Sequence, residues 1–149
     1  MKLFFYGVLM DHVARGDVRD RLAGLGPGQP ATAVGRLYAV PDPQGWYPAL
    51  MYDAGSPDGH QPGLVHGMLH DSGQVDLAAL DRFEGVDPRD PHAGDYRRAE
   101  ISVTTADGQA VLAFAYLWNH RLTGNLVHLP LGDFALWLRQ SGQQAFAGG

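Results

Sequence analysis

The amino-acid sequence predicts an α+β domain built on a small, six-stranded, barrel-like mixed sheet flanked by short helices. Three observations carry that expectation. Glycine and proline number 20 and 10 in 149 residues, which punctuates the chain too often for a helical bundle. Six short runs rich in aromatic and β-branched residues are separated by turn-forming segments, as in a closed or nearly closed small sheet. One stretch, Gln74–Phe83, has a clear helical period. With 45% hydrophobic residues, the chain suits a single domain over residues 1–149 with a core of its own.

Lys2–Tyr6 is an aromatic-rich first strand that stops at Gly7. Asp11–Ala23 places Val13, Val18 and Leu22 among many charges and reads as a mostly solvated helix, broken by Gly24-Leu25-Gly26-Pro27-Gly28. Ala31–Val40 is a strand with Val34, Leu37, Tyr38 and Val40 as its bulky members, and Pro41–Gly45 is a turn by composition. Pro48–Asp53 and Gly63–Asp71 are two more strands around a Gly/Ser/Pro/Asp loop at residues 54–62. Gln74–Phe83 is the main helix, with Ser72 or Asp71 as N-cap and Gly85 as its stop. A Pro/Asp/Gly loop covers Asp87–Asp95. Tyr96–Thr105 and Gln109–Asn119 form a hairpin about Ala106-Asp107-Gly108. Residues 133–140 form a last amphipathic helix with Phe134, Trp137 and Leu138 on one side.

Composition removes several function classes. Net charge is -5 and the 11 Lys and Arg residues are scattered, so no basic stripe awaits a nucleic acid. With no cysteine there is no disulfide, thiolate–zinc site or cysteine nucleophile, which fits a reducing, cytoplasmic compartment. No stretch approaches the ~18 apolar residues of a membrane span, and the N-terminus reads as a buried strand rather than a signal segment. His66 and His70 share a strand face but sit ~13 Å apart, too far for one metal ion. No metal site is predicted.

Glu84 is out of place. Continued one step past Phe83, the helical period puts it inside the apolar stripe of Leu77, Leu80 and Phe83. There, desolvation and the helix C-terminus both favour its neutral form and raise its pKa, which suits general acid–base chemistry near neutral pH. Fraying at Phe83 would instead release Glu84 to water, and periodicity leaves that alternative open. Asp81, at the stripe's edge, is expected to be a solvated helix residue. The Tyr6-Gly7-Val8-Leu9 segment, where a strand ends abruptly at Gly, can present successive backbone N–H groups to a carboxylate or oxyanion; a plain strand ending in a turn fits it as well.

The order of these pieces resembles the γ-glutamylcyclotransferase-like family, which includes γ-glutamylamine cyclotransferases and avirulence-induced proteins. The matching stretches are Phe5–Leu9, Gly35–Tyr38, Tyr47–Leu50, Val65–Leu69, Leu80–Gly85, Tyr96–Arg98 and Gly132–Phe134. The resemblance implies a six-stranded barrel-like fold. It also implies a substrate loop at Tyr6, Gly7, Val8 and Leu9 that holds the glutamyl group through backbone amides, with Glu84 as the acid–base residue. Two departures stand out: Val8 replaces the usual Ser or Thr, and His66 and Met68 flank Gly67 where many relatives carry Glu.

The expected chemistry is attack of a γ-glutamyl amide's own α-amine on its γ-carbonyl, releasing 5-oxoproline and an amine or amino acid. Tyr6 and Tyr96 are candidates to line the pocket, with plain packing the alternative for each, and no cofactor or metal is required. The partner is a small-molecule γ-glutamyl substrate, with no nucleic acid and no membrane, for a monomer or weak homodimer. Loops 54–62 and 86–95 are expected to choose the leaving group. Two rivals stand beside this reading: a non-catalytic module holding an acidic metabolite in the same pocket, favoured by Val8 and His66, and a structural subunit whose C-terminal helix buries on assembly.

Overall fold

The computed structural model describes residues 1–10, 12–52 and 60–146. Strands β1 (Lys2–Phe5), β2 (Gly28–Asp42), β3 (Gly45–Met51), β4 (Gly63–Asp71), β5 (Tyr96–Thr105), β6 (Ala110–Trp118) and β7 (Val127–His128) alternate with helices α1 (Asp17–Asp20), α2 (Leu77–Phe83) and α3 (Phe134–Ser141), in the chain order β1-α1-β2-β3-β4-α2-β5-β6-β7-α3.

Five strands close a ring, β2-β4-β1-β6-β5 and back to β2. The closing contact is short: Ala31 pairs with Gly67 of β4 on one side and with Thr105 of β5 on the other. β1 and β6 run parallel at Leu3 and Phe114, while the other pairings are antiparallel, so the sheet is mixed. β2 is long enough to serve two sheets. Its first half belongs to the ring, and its second half, from Arg36 to Asp42, carries β3 along one edge and β7 along the other. Closure leaves few free edges to be managed.

Period-two alternation fills the ring. On β5, Ile101, Val103 and Thr105 point inward and Ser102 and Thr104 outward. Small residues on β6 and β2, namely Ala113, Ala115, Ala31 and Ala33, face the bulkier Phe4, Val65 and Leu69, and all are buried. A barrel this narrow closes only if some inward positions stay small.

Element bounds differ from the sequence expectation where caps and pairing decide them. The helix expected over Asp11–Ala23 shrinks to Asp17–Asp20, preceded by Gly16 with φ 53° and no side-chain cap. Only Val18 within it is buried, so packing does not extend it. α2 begins at Leu77, because the Asp76 carboxylate accepts the Ala79 amide at 3.0 Å; neither Ser72 nor Asp71 is the cap. β3 starts at Gly45, three residues before the expected strand, since the β2 pairing runs down to Asp42 and Gly45. Asp53 and residues 54–59 of the expected substrate loop lie outside the described residues. Among the described residues, no helix is long and apolar enough to cross a membrane.

Candidate active site

The end of α2 fixes Glu84. Glu84 is the helix C-cap, with φ −80° and ψ −3°. Gly85 follows with φ 70°, a left-handed conformation that a Cβ would strain. The Gly85 amide bonds the Arg82 carbonyl at 3.1 Å and the Val86 amide bonds the Asp81 carbonyl at 2.9 Å. These two bonds form a Schellman motif, so the last turn is locked rather than frayed. Next, the Asp95 amide reaches the Gly85 carbonyl at 3.0 Å, which ties the 86–95 loop to the same spot.

The Glu84 carboxyl faces a hollow at the end of β1. The hollow, about 20 Å³ in volume, is lined by Tyr6, Gly7, Val8, Leu9, Pro48 and Tyr116 among others. That is the room of about one water molecule or one carboxylate oxygen. Tyr6, Val8 and Leu9 are 4%, 4% and 3% exposed. The amides of Gly7, Val8 and Leu9 donate to no other group among the described residues, although the Gly7 carbonyl accepts from Met10 at 3.0 Å. Buried amides without a partner are costly, and three in succession make a donor-lined concavity for an anion. Gly7 is required here for space: a Cβ would lie 2.0 Å from Pro48 Cγ.

A second hollow, about 130 Å³ in volume, shares Val8, Tyr47, Glu84 and Tyr96 with the first and adds Asp42, Phe83, Asp95 and Phe146. Glu84 therefore stands at the junction of a small donor-lined chamber and a wider outer cleft.

Charge and burial set the state of the carboxyl. Its pKa is pushed up to about 8, chiefly by burial and further by the carboxylates of Asp81 and Asp95. Asp81 is not the solvated helix residue expected from the sequence. Arg98 grips it with two hydrogen bonds, Nε to Oδ1 at 2.9 Å and Nη2 to Oδ2 at 3.2 Å, and the Tyr116 hydroxyl donates to Oδ1 at 2.8 Å. Asp95 is paired with His120 Nε2 at 2.7 Å.

Tyr6 and Tyr96 line the chamber, and their hydroxyls are already engaged. Tyr6 donates to the Tyr116 carbonyl and Tyr96 to the Pro48 carbonyl. Burial, the largest cause, raises the pKa of both, so both stay neutral. Tyr47 was missed as a site residue although it opens one of the matching stretches. It lines both hollows, and its hydroxyl pKa is raised by burial and then by Asp42, Asp95 and Glu84. Its hydroxyl makes no hydrogen bond among the described residues. Phe146 had no sequence signal; its amide bonds the Trp46 carbonyl at 2.7 Å, bringing the chain's end back to β3. Of the two histidines weighed for a metal, His66 is exposed, whereas His70 is buried with Nδ1 3.0 Å from the Gly26 carbonyl.

Several known proteins share this fold. The structure of YkqA from Bacillus subtilis matches with a TM-score of 0.65 and 20% identity over 95% of this chain, which spans 42% of that one. An AIG2-like protein from Mus musculus matches with a TM-score of 0.60 and 20% identity, covering 87% of this chain and 85% of the mouse chain. A structure described as a gamma-glutamyl cyclotransferase matches with a TM-score of 0.58 and 19% identity, covering 86% and 69% of the two chains. Among curated proteins, none matches. At such identities the structures establish a shared fold. Residues 3–137, which include β1, the following loop and all of α2, match the family described as Gamma-glutamyl cyclotransferase, AIG2-like, and so the chain that sets Glu84 against the donor-lined end of β1 belongs to the γ-glutamyl cyclotransferase, AIG2-like family.

Proposed function

We propose that the protein is a γ-glutamyl amide cyclotransferase, a single domain that releases 5-oxoproline and a free amine or amino acid. One observation carries this reading: a half-buried carboxyl, Glu84, with its pKa raised to about 8, opens onto the same small chamber as the amides of Gly7, Val8 and Leu9, which have no partner among the described residues.

The glutamyl α-carboxylate, or the oxyanion that develops on the γ-carbonyl, takes the amides of residues 7–9. These are fixed dipoles that need no reorganisation as charge forms. Glu84 removes a proton from the α-ammonium. A carboxyl near pKa 8 and an α-ammonium near ~8 in peptides exchange a proton with little driving force either way, which suits general base and then general acid work. The amine nitrogen closes on the γ-carbon and gives up a second proton, the amide C–N bond breaks, and both protons end on the departing amine as its ammonium, the first returned to the leaving nitrogen by Glu84. Because the nucleophile is tethered, orientation alone can supply roughly 7–11 kcal/mol of the barrier. The rings of Tyr6 and Tyr96 wall the chamber, while their hydroxyls serve the fold.

The same reading takes the protein as cytoplasmic, a monomer or weak homodimer, and in need of no metal or cofactor. Val8 supports the alternative of a non-catalytic pocket for an acidic metabolite, since it adds no hydroxyl to the loop. Incubation with a panel of γ-glutamyl compounds, with 5-oxoproline read by mass spectrometry, separates the two. Turnover that disappears in Glu84→Gln supports catalysis; calorimetric binding of 5-oxoproline without turnover of any amide supports the module.

A further inference from the structure

We propose that residues 143–146, which lie beyond the stretch 3–137 that matches the family, complete the active site, and that Phe146 is a positioning residue covering the outer side of Glu84. The proposal rests on the cyclotransferase reading of Glu84 and adds to it a part that the matching stretch does not contain.

Hydrogen bonds dock the segment on β3. Ala145 pairs in parallel with Trp46, the second residue of that strand. The Trp46 amide bonds the Gln144 carbonyl at 2.9 Å, and the Phe146 amide bonds the Trp46 carbonyl at 2.7 Å. Side chains add to this: Arg15 Nη1 donates to the Ala145 carbonyl at 2.5 Å, and Trp46 Nε1 to Gln143 Oε1 at 3.1 Å. Gly45 admits the segment, because a Cβ there would lie 2.6 Å from the Ala145 carbonyl oxygen. These bonds fix the backbone, and with it the direction in which residue 146 projects.

Anchor and tip do different things. Ala145 is 3% exposed and belongs to the core, so it holds the segment down. The Phe146 ring is half-buried and lines the outer cleft, about 130 Å³ in volume, together with Glu84, Asp42 and Asp95. It meets Phe83, which precedes Glu84 in the chain, and Tyr47, which lines both hollows, with ring centroids 5.8 Å away in each case. Ring contacts of this kind hold the partners in place. A ring that only filled the core would sit among apolar groups; this one faces three carboxyl groups across a cleft. Val8, Phe83, Tyr47 and Tyr96 supply the rest of the apolar wall, and all four lie within residues 3–137. Glu84 is half-buried. Its inner side is closed by the chamber walls, Pro48 and Tyr116 among them, so the wider outer cleft is the route by which water reaches it. Burial is the largest cause of its raised pKa, and a ring on the outer side adds to that burial.

The test is an NMR titration of the Glu84 carboxyl in the full, ligand-free chain, as the parent and as Phe146→Ala and Phe146→Leu. The parent titrates near 8. Phe146→Ala opens the outer side to water, and the midpoint falls by about one pH unit, a part of the several that burial can add. Phe146→Leu keeps a bulky apolar side chain over the cleft and stays closer to the parent. Neither replacement alters a charge: Asp42, Asp81, Asp95 and the tyrosines of the two hollows remain, so the shift reports cover. The rising limb of kcat/KM, measured with the amide of the panel that is turned over fastest, moves with the titration. At pH 6 the alanine variant therefore keeps about tenfold more of its own plateau rate than the parent keeps of its own. A side chain that served stability alone would lower the melting temperature and leave midpoint and limb where they were. An unchanged midpoint in Phe146→Ala, or a leucine variant no closer to the parent than the alanine one, overturns the proposal. If no γ-glutamyl amide releases 5-oxoproline, the cyclotransferase reading fails, and the titration of the ligand-free chain still decides whether Phe146 covers Glu84.

Discussion

The Asp81 carboxylate precedes Glu84 by one helical turn and is held there by Arg98 and Tyr116, close enough to push the Glu84 pKa further up. Arg98 and Tyr116 supply charge and hydrogen bonds to Asp81. Glu84 has burial and two neighbouring carboxylates, and its pKa is raised to about 8. Raising one carboxyl in this way gives the site a proton carrier that works near neutral pH.

Stability should therefore depend on pH through Glu84. Below its ordinary value of 4.5 the carboxyl is neutral in both folded and unfolded chains. Between there and about 8 the unfolded chain gives up a proton that the folded one keeps, so folding weakens as pH rises through this window. At ~1.4 kcal/mol per unit, the loss reaches a few kcal/mol. Glu84→Gln is neutral throughout and lacks this slope. Urea denaturation at pH 5, 6.5 and 8 should show the variant gaining steadily on the parent, together with loss of 5-oxoproline release. Parallel pH dependences would mean the carboxyl is solvated.

Asp81→Asn should move catalysis to lower pH. Removing that charge brings the Glu84 pKa down toward its ordinary value, so the rising limb of kcat/KM, expected near pH 8 in the parent, shifts to more acidic pH. Asn still accepts from Tyr116, but the half-buried Arg98 loses its counter-charge, at a cost of about 1–3 kcal/mol. An NMR titration of the Glu84 carboxyl reads the shift directly. A limb that stays in place would show that Asp81 does not act on Glu84.

What the sequence disclosed was mostly local. Glu84 stood out because the helical period and the Gly85 stop lie within one short segment, and the Schellman motif is a property of those same residues. The order of strands followed from turn residues, such as Asp107-Gly108 between β5 and β6. Ring closure did not, because it rests on Ala31 meeting Thr105, a pairing with no local signal. Asp81 was misjudged for the same reason: its partners Arg98 and Tyr116 arrive from β5 and β6, and no helical wheel contains them. Phe146 reaches the cleft only because the chain's end adds beside Trp46, and the aromatic wall was invisible until that contact was formed.

Tyr6→Phe and Tyr96→Phe should reduce stability more than turnover. Each deletes a buried hydroxyl that donates to a backbone carbonyl, of Tyr116 or Pro48, and the loss of that bond costs about 0.5–1.5 kcal/mol. The rings that wall the chamber remain. Denaturation curves and kcat/KM on the same preparations separate the effects. A loss of about a hundredfold in kcat/KM, the scale of a missing transition-state donor, at unchanged stability would instead make the hydroxyl a substrate ligand.

Gly7→Ala tests whether the amide loop is placed by its contact with Pro48. The new Cβ would lie 2.0 Å from Pro48 Cγ and 2.6 Å from Cδ, but 3.1 Å from Cβ. A proline ring cannot rotate away, and Pro48 is held in β3 opposite Ala39 while its carbonyl binds Tyr96. The loop must therefore give way, with an overpacking cost of about 1–3 kcal/mol and displaced amides at residues 7–9. Both the melting temperature and kcat/KM should fall. Pro48→Ala removes the two closest atoms and keeps the tolerable one, so the double variant Gly7→Ala/Pro48→Ala should recover part of both losses, a coupling read from the double-mutant cycle. If the two changes simply add, the close approach of Pro48 is not what requires glycine at position 7, and the amides are held by something else.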